Sequence, residues 1–174
     1  FSRKSDAALV PDDVTAILDK TLELASTDYN LKKNYDFKKI QIIREYEPDL
    51  PKILGSASKL QQVFLNLFRN GAEAMGEKPY PAGQAPRFIL RVRQNPPWVR
   101  VEMEDNGPGL EESVRKRIFE PFFTTKPVDR GTGLGLSVSY FIITEDHSGM
   151  MSVQTAVGEW TRFTIDLPAA PPRK

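Results

Sequence analysis

The sequence predicts an α+β fold, a two-layer α/β sandwich in which a mixed sheet of about five strands carries helices on one face. Three observations predict it. Arg87 to Gln94 (RFILRVRQ) and Trp98 to Asp105 (WVRVEMED) alternate with period two, the pattern of strands with one buried side. From Ser58 to Met75, residues Leu60, Val63, Phe64, Leu67, Gly71 and Ala74 fall on a single helical face. The order of segments (helix, strand, long helix, two strands, loop, helix, two strands) interleaves the two types, so one sheet must receive helices from several points along the chain.

The elements follow in order. Asp12 to about Ser26 reads as a helix, preceded by Pro11 and carrying Val14, Ile17, Leu18, Leu22 and Ala25 at helical spacing. Lys39 to Tyr46 (KIQIIREY) reads as a strand, and Pro48 and Pro51 break what comes next. The long helix Ser58–Met75 sets Lys59, Gln62, Asn66, Asn70 and Glu73 beside its apolar stripe, and Gly76 stands where a helix stop belongs. Lys78 to Pro86 is a Pro- and Gly-rich loop, and Asn95-Pro96-Pro97 is a hairpin link between the two alternating strands. Asn106 to Leu110 is a turn, Glu112 to Phe119 a short helix, and Pro121 to Gly133 irregular. A helix over Leu134 to Asp146 precedes two strands, Met151 to Val157 and Arg162 to Leu167, and the tail from Pro168 is expected to fray.

Composition narrows the function. With 174 residues, 40% hydrophobic and 27% charged, the chain has the make-up of one globular domain. Lys and Arg number 24 against 23 Asp and Glu, so bulk charge points to neither nucleic acid nor an anionic membrane. The absence of cysteine excludes a disulfide framework, a thiolate zinc site and a cysteine nucleophile, and fits a reducing compartment. No apolar run approaches the ~20 residues that span a bilayer, and Phe1-Ser2-Arg3-Lys4 is no signal peptide.

Three segments have the wrong composition for connectors. Asn66 and Asn70 lie one helical turn apart, where amide oxygens can complete the oxygen shell of Mg²⁺ beside phosphate oxygens and waters; two polar residues on a wet helix face would look the same. Asp105-Asn-Gly107-Pro-Gly109 follows a strand directly. Its carboxylate can accept a hydrogen bond from the amino group of a flat ligand, and its glycines let a ring approach the backbone, although a tight turn also uses these residues. Gly131-Thr132-Gly133-Leu134-Gly135-Leu136 opens a helix, whose free N–H groups favour phosphate, with Thr132 as an added donor. Between the last two lies Phe119-Glu-Pro-Phe122-Phe123-Thr124-Thr125-Lys126. Its aromatics could anchor a lid and Lys126 could reach phosphates, or the stretch could be a core patch with a solvated lysine. There is no GxxxxGK[ST] run, no strand ahead of the glycines as a Rossmann fingerprint needs, and no protein-kinase loop set.

At this point the residues resemble a known family. Asn66–Asn70 is similar to the N box of histidine protein kinases, Asp105-x-Gly107-x-Gly109 to their G1 box, Phe119–Lys126 to their F box and Gly131–Leu136 to their G2 box, in the family's order. The similarity runs from about Val14 to Leu167, and four boxes in order on suitable elements are far more specific than any one. The resemblance implies the Bergerat, or GHKL, ATP-binding fold, with ATP as substrate and Mg²⁺ as cofactor. It implies that Asn70 binds the metal and Asn66 helps order metal and phosphates. Asp105 would bind the adenine amino group, Gly107 and Gly109 would shape the pocket, and Thr161 would approach adenine through water. Phe122, Thr125, Lys126, Gly131, Thr132, Gly133, Leu134 and Gly135 would contribute to ATP binding, with Leu110 to Thr132 as the ATP lid. Catalytic weight would fall on Asn66, Asn70 and Lys126. Three positions depart from the common pattern: Gly71 stands where Ala is usual, Trp160 where Gly is common, and Glu73 where another branch is basic. An acid so near phosphates needs a metal or cation beside it.

The resemblance also implies what lies elsewhere. His147 is the only histidine and does not match the family's phosphoacceptor; it reads as a helix C-terminal residue favoured by the dipole there. Phe1–Lys4 resembles the tail of the second dimerisation helix in kinases of the nitrogen-regulation type. The expected division is therefore residues 1–11 as the end of an upstream dimerisation helix and linker, 12–168 as the ATP-binding catalytic domain and 169–174 as a disordered tail. Expected partners are the upstream phosphoacceptor domain of the same protein and a response regulator receiver domain, with no nucleic acid. The full-length protein would be a homodimer, with or without a membrane anchor, and this fragment a cytoplasmic monomer unable to phosphorylate itself. A GHKL ATPase of the gyrase or mismatch-repair kind would carry glutamate at the place of Asn66, since an amide is no general base for water. An anti-sigma-factor-type serine kinase and a nucleotide-sensing domain without transfer share the fold and stay open.

Overall fold

The computed structural model describes residues 8–27, 37–126 and 135–172. Strand β1 (Val10–Asp12) leads into helix α1 (Val14–Thr27), and Asp13 caps that helix by accepting from the Thr15 N–H at 2.9 Å. A 3₁₀ turn (Phe37–Lys39) precedes β2 (Gln41–Tyr46), then β3 (Ile53–Gly55) and the long helix α2 (Ala57–Gly76). Strands β4 (Arg87–Asn95) and β5 (Trp98–Asp105) form the expected hairpin across a cis Pro96–Pro97 bond. Helix α3 (Glu112–Arg115) follows, then α4 (Gly135–Phe141) running into a π-helical turn (Ile142–Asp146), and finally β6 (Met150–Ala156) and β7 (Trp160–Pro168).

The main sheet has the order β2-β4-β5-β7-β6 and is mixed, because β2 lies parallel to β4 while the other neighbours are antiparallel. A parallel pair needs a crossover, and α2 supplies it between β2 and β4. Alternation along each strand sends Phe88, Leu90 and Val92 of β4, Val99, Val101 and Met103 of β5, and Phe163, Ile165 and Leu167 of β7 to one buried face. Leu18 and Leu22 of α1 and Leu60, Val63, Phe64, Leu67 and Phe68 of α2 join the same core. Each such side chain contributes roughly 1.5–3 kcal/mol by leaving water. The opposite face is charged. Arg162 and Arg91 both reach Glu104, at 2.7 and 3.1 Å, and Arg100 grips Asp166 through two bonds of 2.9 and 3.0 Å.

Four expectations need correction. The ribbon of β1 and β3, which pairs Val10 with Gly55 and Pro11 with Leu54, has no counterpart in the sequence reading, which assigned Val10 and Pro11 to the upstream linker. Three-residue strands show no period, and their pairing joins distant segments. The tail does not fray at once: the Ala169 N–H donates to Pro97 at 3.0 Å and the Ala170 N–H to Lys52 at 2.7 Å. The short helix ends at Arg115, not Phe119. The helix expected up to Asp146 changes to π winding after Phe141.

Candidate functional site

Asp105 closes β5. The strand's alternation carries its side chain to the core face, where it is 5% exposed. In register it stands between Phe88 on β4 and Thr161 on β7. One carboxyl oxygen accepts the Gly107 N–H at 2.9 Å. The other faces Gly71 of α2, where an added Cβ would come within 3.3 Å of it and 2.5 Å of the Phe88 ring. Burial is the main cause that pushes this carboxyl up to about 7; the Gly107 N–H opposes the shift and the charge of Glu104 adds to it. The result is an acceptor at the edge of an apolar floor of Phe37, Phe68 and Phe88, whose rings lie 5.3–6.1 Å apart.

The turn after Asp105 is held from several sides. Gly109 has φ of 71° and touches β6, so that a Cβ there would fall 2.4 Å from the Ala156 carbonyl oxygen. Thr155 accepts from the Leu110 N–H at 2.9 Å, donates to the Trp160 carbonyl at 2.8 Å and lies 3.2 Å from the Thr161 hydroxyl. From the loop after α2, Lys78 donates to the Asn106 carbonyl at 3.0 Å and Tyr80 to the same oxygen at 2.9 Å. Burial, aided by the Asp105 charge, pushes the Tyr80 hydroxyl up to about 12, so it stays a donor. Sequence reasoning missed Lys78, Tyr80 and Thr155, because these contacts cross 5 to 45 positions and leave no local pattern.

The other end of the site lies along α2. Asn66 donates to the Ser139 hydroxyl at 3.3 Å, and Gly135 packs so tightly on Asn66 that a Cβ would fall 2.6 Å from its amide oxygen. Asn70 accepts from the Lys126 ammonium at 3.0 Å, and the same ammonium is paired with Glu73. The structure thus joins Asn66 to Gly135, Asn70 to Lys126, and Asp105 to Gly107, with Thr161 its neighbour in register. It does not bring Phe122 or Thr125 to them: Phe122 is 75% exposed with φ of 66°, and Thr125 is exposed. Gly131, Thr132, Gly133 and Leu134 lie outside the described residues.

His147 serves a different purpose from the one read in the sequence. It does follow the π-helical turn, but it is 1% exposed. Its Nε2 accepts the Ser56 N–H at 3.1 Å, which leaves Nδ1 to donate to the Ile142 carbonyl at 2.9 Å. Burial lowers its pKa, so the ring ties α4 to the start of α2 as a neutral group and not as a cation on a dipole.

Among the described residues no three His, Cys, Asp or Glu side chains cluster as a metal cage. The amide oxygen of Asn70 and the carboxylate of Glu73 already hold a cation, the Lys126 ammonium, between them. Such hard oxygen donors, few in number, fit Mg²⁺ carried in by phosphates. No helix among the described residues is long and apolar enough to cross a membrane.

Known proteins resemble this chain in sequence and in fold. Residues 55–171 match the family described as histidine kinase-, DNA gyrase B-, and HSP90-like ATPase. The chain is 36% identical to the sensory histidine kinase/phosphatase NtrB of Rhodobacter capsulatus, over 98% of this chain and 47% of that protein. It is 37% identical to sporulation kinase E of Bacillus subtilis, over 89% of this chain and 19% of the relative. The chain therefore spans half or less of the length of these relatives. The catalytic domain of histidine kinase ThkA superposes with a TM-score of 0.74 at 25% identity, covering 92% of this chain and 95% of that domain. Full-length ShkA in complex with AMPPNP superposes with a TM-score of 0.77 at 25% identity, covering 99% of this chain and 34% of that one. On sheet order, site geometry and these matches, the chain has the Bergerat fold and belongs to the family of histidine kinase-, DNA gyrase B- and HSP90-like ATPases.

Proposed function

We propose that this chain is the ATP-binding catalytic domain of a two-component sensor histidine kinase, and that it passes the γ-phosphoryl group of Mg²⁺-ATP to a histidine on an upstream dimerisation domain. The observation that carries this reading is the placement of adjacent residues on α2. Gly71, lacking a side chain, lets the α2 backbone pack against the Phe88 ring and the Asp105 carboxyl, while Asn70 next to it holds a cation. One helix thus serves both a purine amino group and a phosphate-bound metal. Asn66 supplies an amide where hydrolysis would need a carboxylate base, which favours transfer over water attack.

In the proposed reaction Asp105 accepts from the adenine amino group, and Gly107 and Gly109 keep the backbone close to the ring. Thr161, beside Asp105 in register, assists through water. Asn70 would hold Mg²⁺, which would supply charge to offset that of the phosphates, and Asn66 would order the same region. Lys126 and the Gly131–Gly135 segment meet the phosphates, with Leu110 to Thr132 as the lid. A nitrogen of the acceptor imidazole bonds to the γ-phosphorus as its bond to the ADP oxygen breaks. The imidazole proton leaves to a base on the acceptor domain. The chain contributes position and charge neutralisation. Residues 12–168 would be the catalytic unit, joined through the segment before it to a homodimeric acceptor module, and a receiver domain would take the phosphoryl group onward.

The test is labelling with radioactive ATP. The chain alone should bind ATP saturably and stay unlabelled, while a supplied dimerisation domain bearing the acceptor histidine should gain acid-labile label. Label on His147 of the isolated chain, or no saturable ATP binding, would overturn the reading.

A further inference from the structure

Glu73 has no part in the reaction as described, yet it lies in the middle of the phosphate end. Asn70 and Glu73 are three residues apart on α2 and so share a face. The Lys126 ammonium sits between them, accepted by Asn70 at 3.0 Å and paired with Glu73. The side chains of Lys126 and Glu73 are only 34% and 25% exposed, so water screens the pair incompletely. An amide oxygen beside a carboxylate is a donor set for a hard divalent cation, and here an ammonium takes that position. Phosphates arriving without a metal would meet the Glu73 charge and a lysine already engaged.

We propose that Glu73 and Lys126 form an exchange latch at the metal position: Lys126 stands in for the divalent ion in the nucleotide-free domain and is released toward the phosphates when metal-bound nucleotide enters, leaving Glu73 to face the metal. This rests on reading the chain as an ATP-binding domain. Glu73 is then a positioning residue that makes nucleotide binding depend on metal. It rejects bare ATP by holding the lysine and by its own charge, and it favours the metal complex because that complex brings the cation the pair of oxygens requires. No covalent bond changes; one cation replaces another.

Calorimetric titration of ATP, in EDTA and in excess Mg²⁺, separates the latch from the site. For the wild-type chain, Mg²⁺ should tighten binding strongly. Glu73→Gln should bind metal-free ATP about tenfold more tightly and Mg²⁺-ATP more weakly, so that the dependence on Mg²⁺ collapses. In a Lys126→Gln background the same substitution should have a clearly smaller effect on metal-free ATP, since no ammonium remains to be freed. An independent readout uses Mn²⁺ alone, followed by electron paramagnetic resonance: Lys126→Gln should bind it about tenfold more tightly than wild type, because the ammonium no longer competes. If wild type binds ATP but Glu73→Gln keeps the same Mg²⁺ dependence, or if Lys126→Gln leaves Mn²⁺ affinity unchanged, the latch is wrong and the nucleotide site stands. If wild type binds no ATP at all, the underlying reading fails with it.

Discussion

The two ends of the site are built by different physics. At the Asp105 end, position comes from sheet register and close packing. Phe88, Asp105 and Thr161 stand in one row across three strands, Gly71 and Gly109 admit no side chain, and Lys78, Tyr80 and Thr155 pin the turn. At the Asn70 end, position comes from one helix edge and an ammonium held between Asn70 and Glu73. The contrast teaches that the Asp105 end is fixed by packing of distant segments, while the Asn70 end is arranged around the cation it holds.

Breaking the sheet-built end should have the largest effect. Asp105→Asn should weaken ATP binding roughly 100-fold, since a charge-assisted acceptor is lost and a donor is turned toward the amino group. The same substitution should raise the melting temperature at pH 8. The carboxyl loses its proton near 3.8 in the unfolded chain and near 7 in the fold. Its cost to the folded state therefore grows as pH climbs from about 4 and is complete above about 7. Nucleotide titration and thermal melts at pH 5 and pH 8 check both statements; equal melting temperatures at pH 8 would contradict the sign.

A smaller effect tests whether packing alone sets that end. Gly71→Ala should cost about 1–3 kcal/mol in chemical denaturation, because the new methyl meets the Phe88 ring. Phe88→Leu in the same chain should recover part of the loss. No recovery would mean that Gly71 matters for some reason other than the ring.

The smallest effect belongs to the tie behind the phosphate end. His147 has a lowered pKa in the fold, so the unfolded chain takes the proton first as pH falls below 6.5, and stability drops on that side. Asp105 pushes the opposite way over part of this range. The measurement is therefore best made in the Asp105→Asn background, where melts from pH 7.5 to 5.5 should decline, and should decline less once His147→Asn is added. A flat profile before that addition would remove His147 as the tie.

Much of this site was legible because its chemistry is written in short segments. Asn66, Asn70, Asp105, Gly107 and Gly109 carry their own spacing, and the structure places them on the helix, strand end and turn expected of them. Other contributions were not legible. Lys78, Tyr80 and Thr155 act through bonds to backbone that is 26 to 45 positions away, and loop or strand composition says nothing about where such a bond lands. Gly71 departs from the common pattern, and the Phe88 ring occupies the space of its missing methyl. Trp160, another departure, lies under the Arg162 guanidinium at 4.6 Å.

The sequence by itself determined the two-layer class, the buried face of each long strand and helix, and which polar residues had no reason to sit beside a core, since all of these follow from periods of 2 and 3.6 read over neighbouring residues. Only the tertiary structure decided the strand order, the β1–β3 ribbon, the neutral role of His147 and the meeting of Lys126 with Glu73. The physical reason is separation along the chain. A period is a local property, whereas burial that shifts a carboxyl to about 7, or a cation held between two oxygens, exists only once distant segments have packed.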